Sequence, residues 1–357
     1  MSRQTQAVIH ADALIHNFEV ISALTPASKI MAVIKADAYG HGAVNVAKIL
    51  QGRCQCYAVA ISEEALILRE AGIQEPIVIF EGAHQKYECE EAARLNCTLV
   101  AHNQQQLEWL MQTPASQRPP VWFKIDTGMH RLGFDVADVD TIMTTYAELV
   151  TAHSVLVTHL ASADDLSNAF TQQQLNTFTA LQQRFPLHSS IANSPATLGW
   201  PGARGTWNRI GMGLFGGGPL PQNEELPELL PAMTLQASVM SLRTIACGES
   251  VGYGQAWVAS RKSVIATVSI GYADGYPRHC PNGTPTFVRG KRAPLVGRVS
   301  MDMLTIDVTD IADVELGDVV ELWGRQVSIT EVAELAGTIS YELMTRLSTR
   351  VPRLIAK

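Results

Sequence analysis

The sequence predicts an α/β protein: an N-terminal (β/α)8 barrel followed by a mostly antiparallel β domain. Three observations carry that expectation. Short apolar runs alternate with helical patterns over the first two-thirds of the chain, as parallel βα units do. Eight such runs can be counted, the number that closes a barrel. After about residue 230 the apolar period changes to two, the mark of half-buried antiparallel strands.

The eight runs cover residues 30–36, 56–61, 77–81, 98–102, 121–126, 156–160, 189–193 and 207–211. Between the second and third, Ser62-Glu-Glu-Ala reads as an N-cap with acidic residues in the first turn, and Gly72 as the stop. Residues 168–184 form the longest helical stretch. An open doubly wound sheet is the competing arrangement, but no Gly-x-Gly-x-x-Gly follows the first strand, which favours a TIM-type barrel over residues 1–229. The glycine-rich 211–219 and the Pro-rich, acidic 219–231 read as a loop and a linker. Beyond them Leu235/Ala237/Val239, Ile265/Thr267/Ser269 and Leu304/Ile306/Val308 alternate, separated by turns at Gly248, Gly254, Gly275, Gly283 and Gly290. One short helix is expected at 330–336, within a β domain spanning 230–357.

The chain has 357 residues, enough for a large barrel plus a second domain. With 46% hydrophobic and 17% charged residues it is globular. A net charge of −7 offers no cationic footprint for nucleic acid or an anionic membrane. No apolar stretch approaches the roughly eighteen residues of a membrane span. Asp12 and Glu19 interrupt the N-terminal region, so no signal peptide is expected. The six cysteines show neither Cys-x-x-Cys nor zinc spacing, and read as reduced thiols of a cytoplasmic protein. No His-x-His occurs, so no metal is expected.

A barrel enzyme carries its reactive groups at the C-terminal ends of its strands. Lys35 ends the first run; Lys124 lies late in the fifth, with Asp126, His130 and Arg131 just beyond. His159 ends the sixth, Asn193 and Ser194 the seventh, Arg209 the eighth. A lysine among arginines and a histidine suits an anionic ligand. Lys35 within its apolar run reads either as a snorkelling lysine or as an amine whose pKa is lowered enough to attack a carbonyl. Ser194 before Pro195 and the run Gly211-Met212-Gly213 would let backbone N–H groups approach an anion, where barrel phosphate sites lie.

The segment Val33-Ile-Lys-Ala-Asp-Ala-Tyr-Gly-His-Gly42 resembles the cofactor-lysine motif of the alanine racemase family. The likeness extends through Lys124-Ile-Asp-Thr-Gly-Met-His-Arg-Leu-Gly133, Thr158-His159, Asn193-Ser194, Arg209-Ile-Gly-Met212, Val251-Gly-Tyr-Gly254, Gly271-Tyr-Ala-Asp-Gly275, Val299-Ser-Met-Asp302 and residues 341–352. These motifs fall in family order over almost the whole chain, which is most similar to the shorter proteobacterial, catabolic type.

The resemblance implies pyridoxal 5′-phosphate held as a Schiff base on Lys35, and L-alanine and D-alanine as substrates. It makes Lys35 the base on the D-alanine side of Cα and Tyr253 the base on the opposite face. A phenol of ordinary pKa, about 10, is a poor base at neutral pH, and the resemblance supplies His159 as its partner, itself touching Arg209. Arg209 matches the arginine at the pyridine nitrogen; a guanidinium can only donate there. Arg131 resembles the residue that binds the substrate carboxylate, with Lys124, carbamylated in some members, holding it in place. Tyr39, Ser194, Gly211, Met212 and Tyr341 match the phosphate-binding set, with Asn193 beside them. Met301, followed by Asp302, matches the position whose backbone meets substrate. Tyr272 and Tyr341 match tyrosines that narrow the access channel. In the family Tyr253, Tyr272 and Met301 reach the site from a partner subunit, so a homodimer with composite sites is implied. The resemblance leaves His130 without a role and His41 with a structural one. The family reaction serves D-alanine supply for peptidoglycan, alanine catabolism, or both.

Two other readings are weighed against this. A pyridoxal-phosphate-binding barrel without turnover would lack the β domain that carries Tyr253. A fold-related decarboxylase would place an acid where Arg209 stands and use a cysteine motif that Cys247 and Cys280 do not form.

Overall fold

The structure is a computed structural model and describes residues 3–217 and 228–356. Most of the expected linker at 219–231 lies outside the described residues. Eight parallel strands, Lys29–Val33, Cys56–Val59, Ile77–Ile79, Cys97–Ala101, Val121–Asp126, Val155–Val157, His188–Ser190 and Trp207–Ile210, pair in chain order. The eighth returns to the first, with Trp207 opposite Lys29 and Arg209 opposite Met31. The seam between seventh and eighth is bridged by Arg209 N–H to the Ala192 carbonyl at 2.9 Å and Ser189 N–H to Thr206 Oγ1 at 3.3 Å. The barrel is thus nearly closed. Its strands read as continuous apolar runs because both faces are covered, by barrel interior and by helices; every residue of Cys56–Val59 and Ile77–Ile79 is buried.

Several strands stop before their apolar run does. The first ends at Val33, not at Ala36, because the chain turns into a left-handed conformation from Ala36 onward. The helix Ala169–Arg184 is capped by Asn168, whose side chain accepts the Phe170 N–H. Ser62 does not cap Ser62–Glu70. Ile61 occupies the cap position, and the Ser62 hydroxyl donates to the buried Glu88 carboxylate at 3.0 Å. Glu64, two residues on, takes over by accepting the Ala60 N–H at 2.7 Å.

In the second part the long strand Met233–Ile245 pairs antiparallel with Ser263–Val268, Val319–Trp323 and Gln6–His10. Leu235, Ala237 and Val239 are buried at the expected period of two. Leu304–Asp307 pairs antiparallel with Ser263–Val268, and Pro285–Val288 with Lys291–Pro294. Gln6–His10 also receives Arg353–Ala356 in parallel. The N-terminal strand therefore belongs to the second sheet, with Ala7 and Ile9 buried in it. The helix expected at 330–336 is Ile329–Leu335, capped by Ser328. A further helix, Ser340–Thr345, packs on the loop after Lys35. One apolar core runs through both parts. Among the described residues no helix is long and apolar enough to cross a membrane, and all six cysteines are unpaired thiols.

Candidate active site

Lys35 follows the first barrel strand and opens a left-handed turn. Ala36, Asp37, Ala38 and Tyr39 have φ of 51°, 52°, 53° and 53°, and Gly40 closes the turn at 79°. Each non-glycine residue in that region costs about 1–2 kcal/mol, so four in succession persist only where the surroundings over-determine them. Three anchors do so. The Ala36 N–H donates to Glu64 Oε1 at 2.6 Å. The Asp37 carboxylate accepts the Ala43 N–H at 2.7 Å. The Gly40 carbonyl accepts Arg353 Nε at 2.9 Å. A Cβ at Gly40 would lie 2.2 Å from the Met344 carbonyl oxygen, so glycine alone fits against the C-terminal helix. That packing carries Tyr341 beside Tyr39, their rings 5.9 Å apart.

A cavity of about 650 Å³ opens at the C-terminal ends of the barrel strands. Lys35, Tyr39, Lys124, Arg131, His159, Asn193, Ser194, Arg209, Gly211, Met212 and Tyr341 all line it, as the sequence motifs predict. Four cationic side chains, Lys35, Lys124, Arg131 and Arg209, face two acids, Glu81 and Glu342. The surplus of positive charge suits a phosphorylated ligand and a carboxylate.

The cations perturb one another. Burial and the Arg131 guanidinium hold the Lys35 amine below its usual value, opposed by Glu81 and Glu64. Burial, then Arg209, Arg131 and Lys35, bring Lys124 down to about 8. Burial alone draws Arg209 down to about 10, so it stays protonated at neutral pH. Arg209 is tied by five bonds: Nη1 donates to the Ser190 carbonyl (2.7 Å) and hydroxyl (2.9 Å), and Nη2 to the carbonyls of Thr158 (2.8 Å) and Ile191 (3.0 Å) and to His159 Nδ1 (3.1 Å). An arginine cannot accept, so His159 Nδ1 is the unprotonated nitrogen and the ring proton sits on Nε2. Burial and Arg209 keep His159 well below an ordinary histidine, hence neutral.

After the eighth strand, Ser194 Oγ accepts the N–H groups of Gly211 (3.0 Å) and Gly213 (3.1 Å). A Cβ on Gly211 would meet the Tyr39 hydroxyl at 2.5 Å. Hydroxyls and backbone N–H groups thus converge where no side chain fits, in the same cavity as an amine and a rigid guanidinium. Burial holds Tyr39 protonated and raises Tyr341 to about 12, so both phenols are donors to an anion. These residues fit pyridoxal 5′-phosphate: an amine for the aldehyde, a donor for the ring, a hydroxyl and N–H cradle for the phosphate.

Four of the residues singled out by sequence lie elsewhere. Tyr253, Tyr272 and Met301 are 68%, 38% and 53% exposed on the second domain. The Tyr272 N–H donates to the Ser300 carbonyl and Ala273 N–H to that of Met301. Gly252, beside Tyr253, approaches Gly297 and Arg298. The backbone beside Tyr253 and that at Tyr272 therefore both meet one segment, 297–301, which itself carries Met301. Asp302 pairs with Arg350 at 2.7 Å. His41 is buried, stacked on Phe215 at 4.3 Å, its Nδ1 bonded to the Ala38 carbonyl. Among the described residues no group of histidine, cysteine or acidic side chains could hold a metal ion.

The cavity also takes in Phe80 and Glu81, outside the quoted motifs, and Leu132, Glu342 and Thr345, which lie inside them without an assigned role. Glu81 stood at the end of the third apolar run, where position alone could have flagged it.

Two family models match the chain: the alanine racemase N-terminal domain over residues 9–219 and the C-terminal domain over 232–355. The chain belongs to the alanine racemase family. An alanine racemase of Alteromonas mediterranea is 58% identical over 99% of both chains. The solved biosynthetic alanine racemase of Pseudomonas aeruginosa superposes with a TM-score of 0.94 at 41% identity, over 99% of this chain and 100% of that one. That of Bartonella henselae, solved with covalently bound pyridoxal phosphate, gives 0.91 at 30% identity over 99% of both. The enzyme is an isomerase that interconverts L- and D-alanine and depends on pyridoxal 5′-phosphate.

Proposed function

We propose that Lys35 and Tyr253 are the two bases of the racemisation, Lys35 on the D-alanine face of Cα and Tyr253, supplied by a second copy of the chain, on the L-alanine face. The observation that carries this is a separation. Lys35, Tyr39, Lys124, Arg131, His159, Asn193, Ser194, Arg209, Gly211, Met212 and Tyr341 line one cavity, while Tyr253, Tyr272 and Met301 stand exposed on the second domain. An exposed tyrosine and methionine flanking a substrate-contact motif are what a composite dimer site requires. The domains divide at 229/230, with Gln6–His10 crossing into the second sheet.

When bound, pyridoxal phosphate acidifies the α-proton by delocalising the charge left at Cα. Tyr39, Ser194, Gly211, Met212 and Tyr341 hold the phosphate, with Asn193 bracing Ser194 through its cap bond to the Ala196 N–H. Arg209 donates to the ring nitrogen without giving up its proton. The fork of Arg131 binds the substrate carboxylate, joined by the backbone of Met301. Lys35, whose amine burial and Arg131 hold below the usual lysine range, accepts or returns a proton at Nζ. His159, its tautomer fixed by Arg209, offers Nε2–H as a donor to the phenol of Tyr253. Tyr272 with Tyr341 narrows the channel to a small side chain, and Asp302 fixes the bend bearing Met301 through Arg350. Reduced thiols and the absence of a membrane-spanning helix among the described residues support a cytoplasmic enzyme. It serves D-alanine supply or alanine catabolism.

Incubation with L-alanine in D2O tests the two-base reading. Both enantiomers should appear with deuterium at Cα, and borohydride should fix the cofactor on Lys35. Deuterium uptake without inversion would overturn it.

Lys124 is poised to take up CO2. A protonated amine cannot form a carbamate; a neutral one can. With a value of about 8, the neutral fraction grows as pH rises through that point. Carbon-13 bicarbonate should therefore give a carbamate resonance that strengthens between about pH 7 and 9 and vanishes in Lys124→Ala. A signal that weakens with rising pH would contradict the assignment.

A further inference from the structure

We propose that Glu64 is a positioning residue for Lys35: its carboxylate anchors the Ala36 N–H and thereby fixes the start of the left-handed turn that aims the lysine into the cavity. The proposal rests on the reading that Lys35 carries the cofactor.

Glu64 sits in the first turn of the helix after the second barrel strand, not on the loop it anchors. Its two oxygens have different duties. Oε2 accepts the Ala60 N–H at 2.7 Å, which closes the start of its own helix and needs only one oxygen. Oε1 accepts the Ala36 N–H at 2.6 Å, on a neighbouring βα loop. Charge-assisted bonds of this length are among the stronger ones a carboxylate makes to backbone. The other anchors, Asp37 on Ala43 and Arg353 on the Gly40 carbonyl, hold the turn at its middle and far end. Among the described residues, Glu64 is the side chain that holds the Ala36 N–H, the peptide that follows Lys35.

The carboxylate also bears on the lysine's charge. Lys35 is faced by Arg131, Arg209 and Lys124, with Glu81 and Glu64 as the opposing acids. Removing one of two acids leaves the amine in a more positive field. The same residue thus sets where the amine points and how readily it holds a proton.

Glu64→Ala, Glu64→Gln and, as a control, the exposed neighbour Glu63→Gln should be prepared as holoenzymes. Glutamine can accept only one of the two N–H groups, so it tests the anchor even if the alanine variant folds poorly. In the Glu64 variants kcat should fall about 10-fold or more, with KM for alanine nearly unchanged, as expected for a misaimed group. The visible absorbance of the bound cofactor should titrate at lower pH, and the cofactor should dissociate faster. Glu63→Gln should match the parent. Borohydride reduction and peptide mapping run alongside. Label on a lysine other than Lys35 defeats the underlying reading. Label on Lys35 with kcat, absorbance titration and release rate all unchanged defeats the Glu64 proposal. So does a lower melting temperature alone, which would leave Glu64 with only a helix-capping duty.

Discussion

Lys35→Ala should remove racemase activity, with proton transfer alone accounting for roughly 10²- to 10⁴-fold and the lost attachment of the cofactor adding to it. Borohydride should then fix no cofactor to the chain. The fold should survive. Lys35 makes no side-chain hydrogen bond among the described residues, and its amine is crowded by Arg131 and Arg209. Removing one of four clustered cations relieves repulsion, so the melting temperature should hold or rise. Residual activity within tenfold of the parent would show that another group takes the proton.

Tyr253→Phe should bind cofactor normally yet lose activity by a similar factor, because its hydroxyl is the only part removed. The larger expectation lies in mixing. Lys35→Ala and Tyr253→Phe subunits, each inactive alone, should regain about a quarter of parental activity when dissociated and reassembled in equal amounts. Half the dimers would be mixed, and each mixed dimer would hold one intact composite site. Mixtures that stay inactive while hybrid dimers are demonstrated would place both bases on one chain. The exposure of Tyr253 and Met301 around segment 297–301 is the structural reason to expect recovery.

Much of this architecture is written in local pattern. The barrel strands could be read because a strand buried on both faces is simply an apolar run, and such runs were separated by helical periods. The cavity residues could be read because the motifs place them at strand ends, where a barrel gathers them. What could not be read depends on contacts distant in sequence. The five residues Gln6–His10 carry an alternating pattern, but nothing in them says that their partners are at 233–236 and 353–356. The left-handed turn at 36–39 is contrary to the preference of alanine and tyrosine, and tertiary anchors overrode it. Ser62 had the right chemistry for a cap, but Ile61 holds the position and Glu64 makes the bond, with a reach across to a second loop that no local rule contains. Glu342 entered the cavity from a helix, Ser340–Thr345, whose packing against the loop after Lys35 no local pattern shows.

The pairing of Gln6–His10 with Arg353–Ala356 has a consequence for the order of events at the ribosome. The barrel's own strands have all emerged by Ile210, but the first strand must wait, with its edges open, until both of its neighbours have been translated. The same late stretch carries Arg353, whose guanidinium holds the Gly40 carbonyl and so the turn behind Lys35. A nascent chain can therefore wind its barrel and still lack a fixed catalytic loop. Competence arrives with the Arg353–Ala356 strand, and release of that strand by a nick just before it would loosen Gln6–His10 and the lysine together.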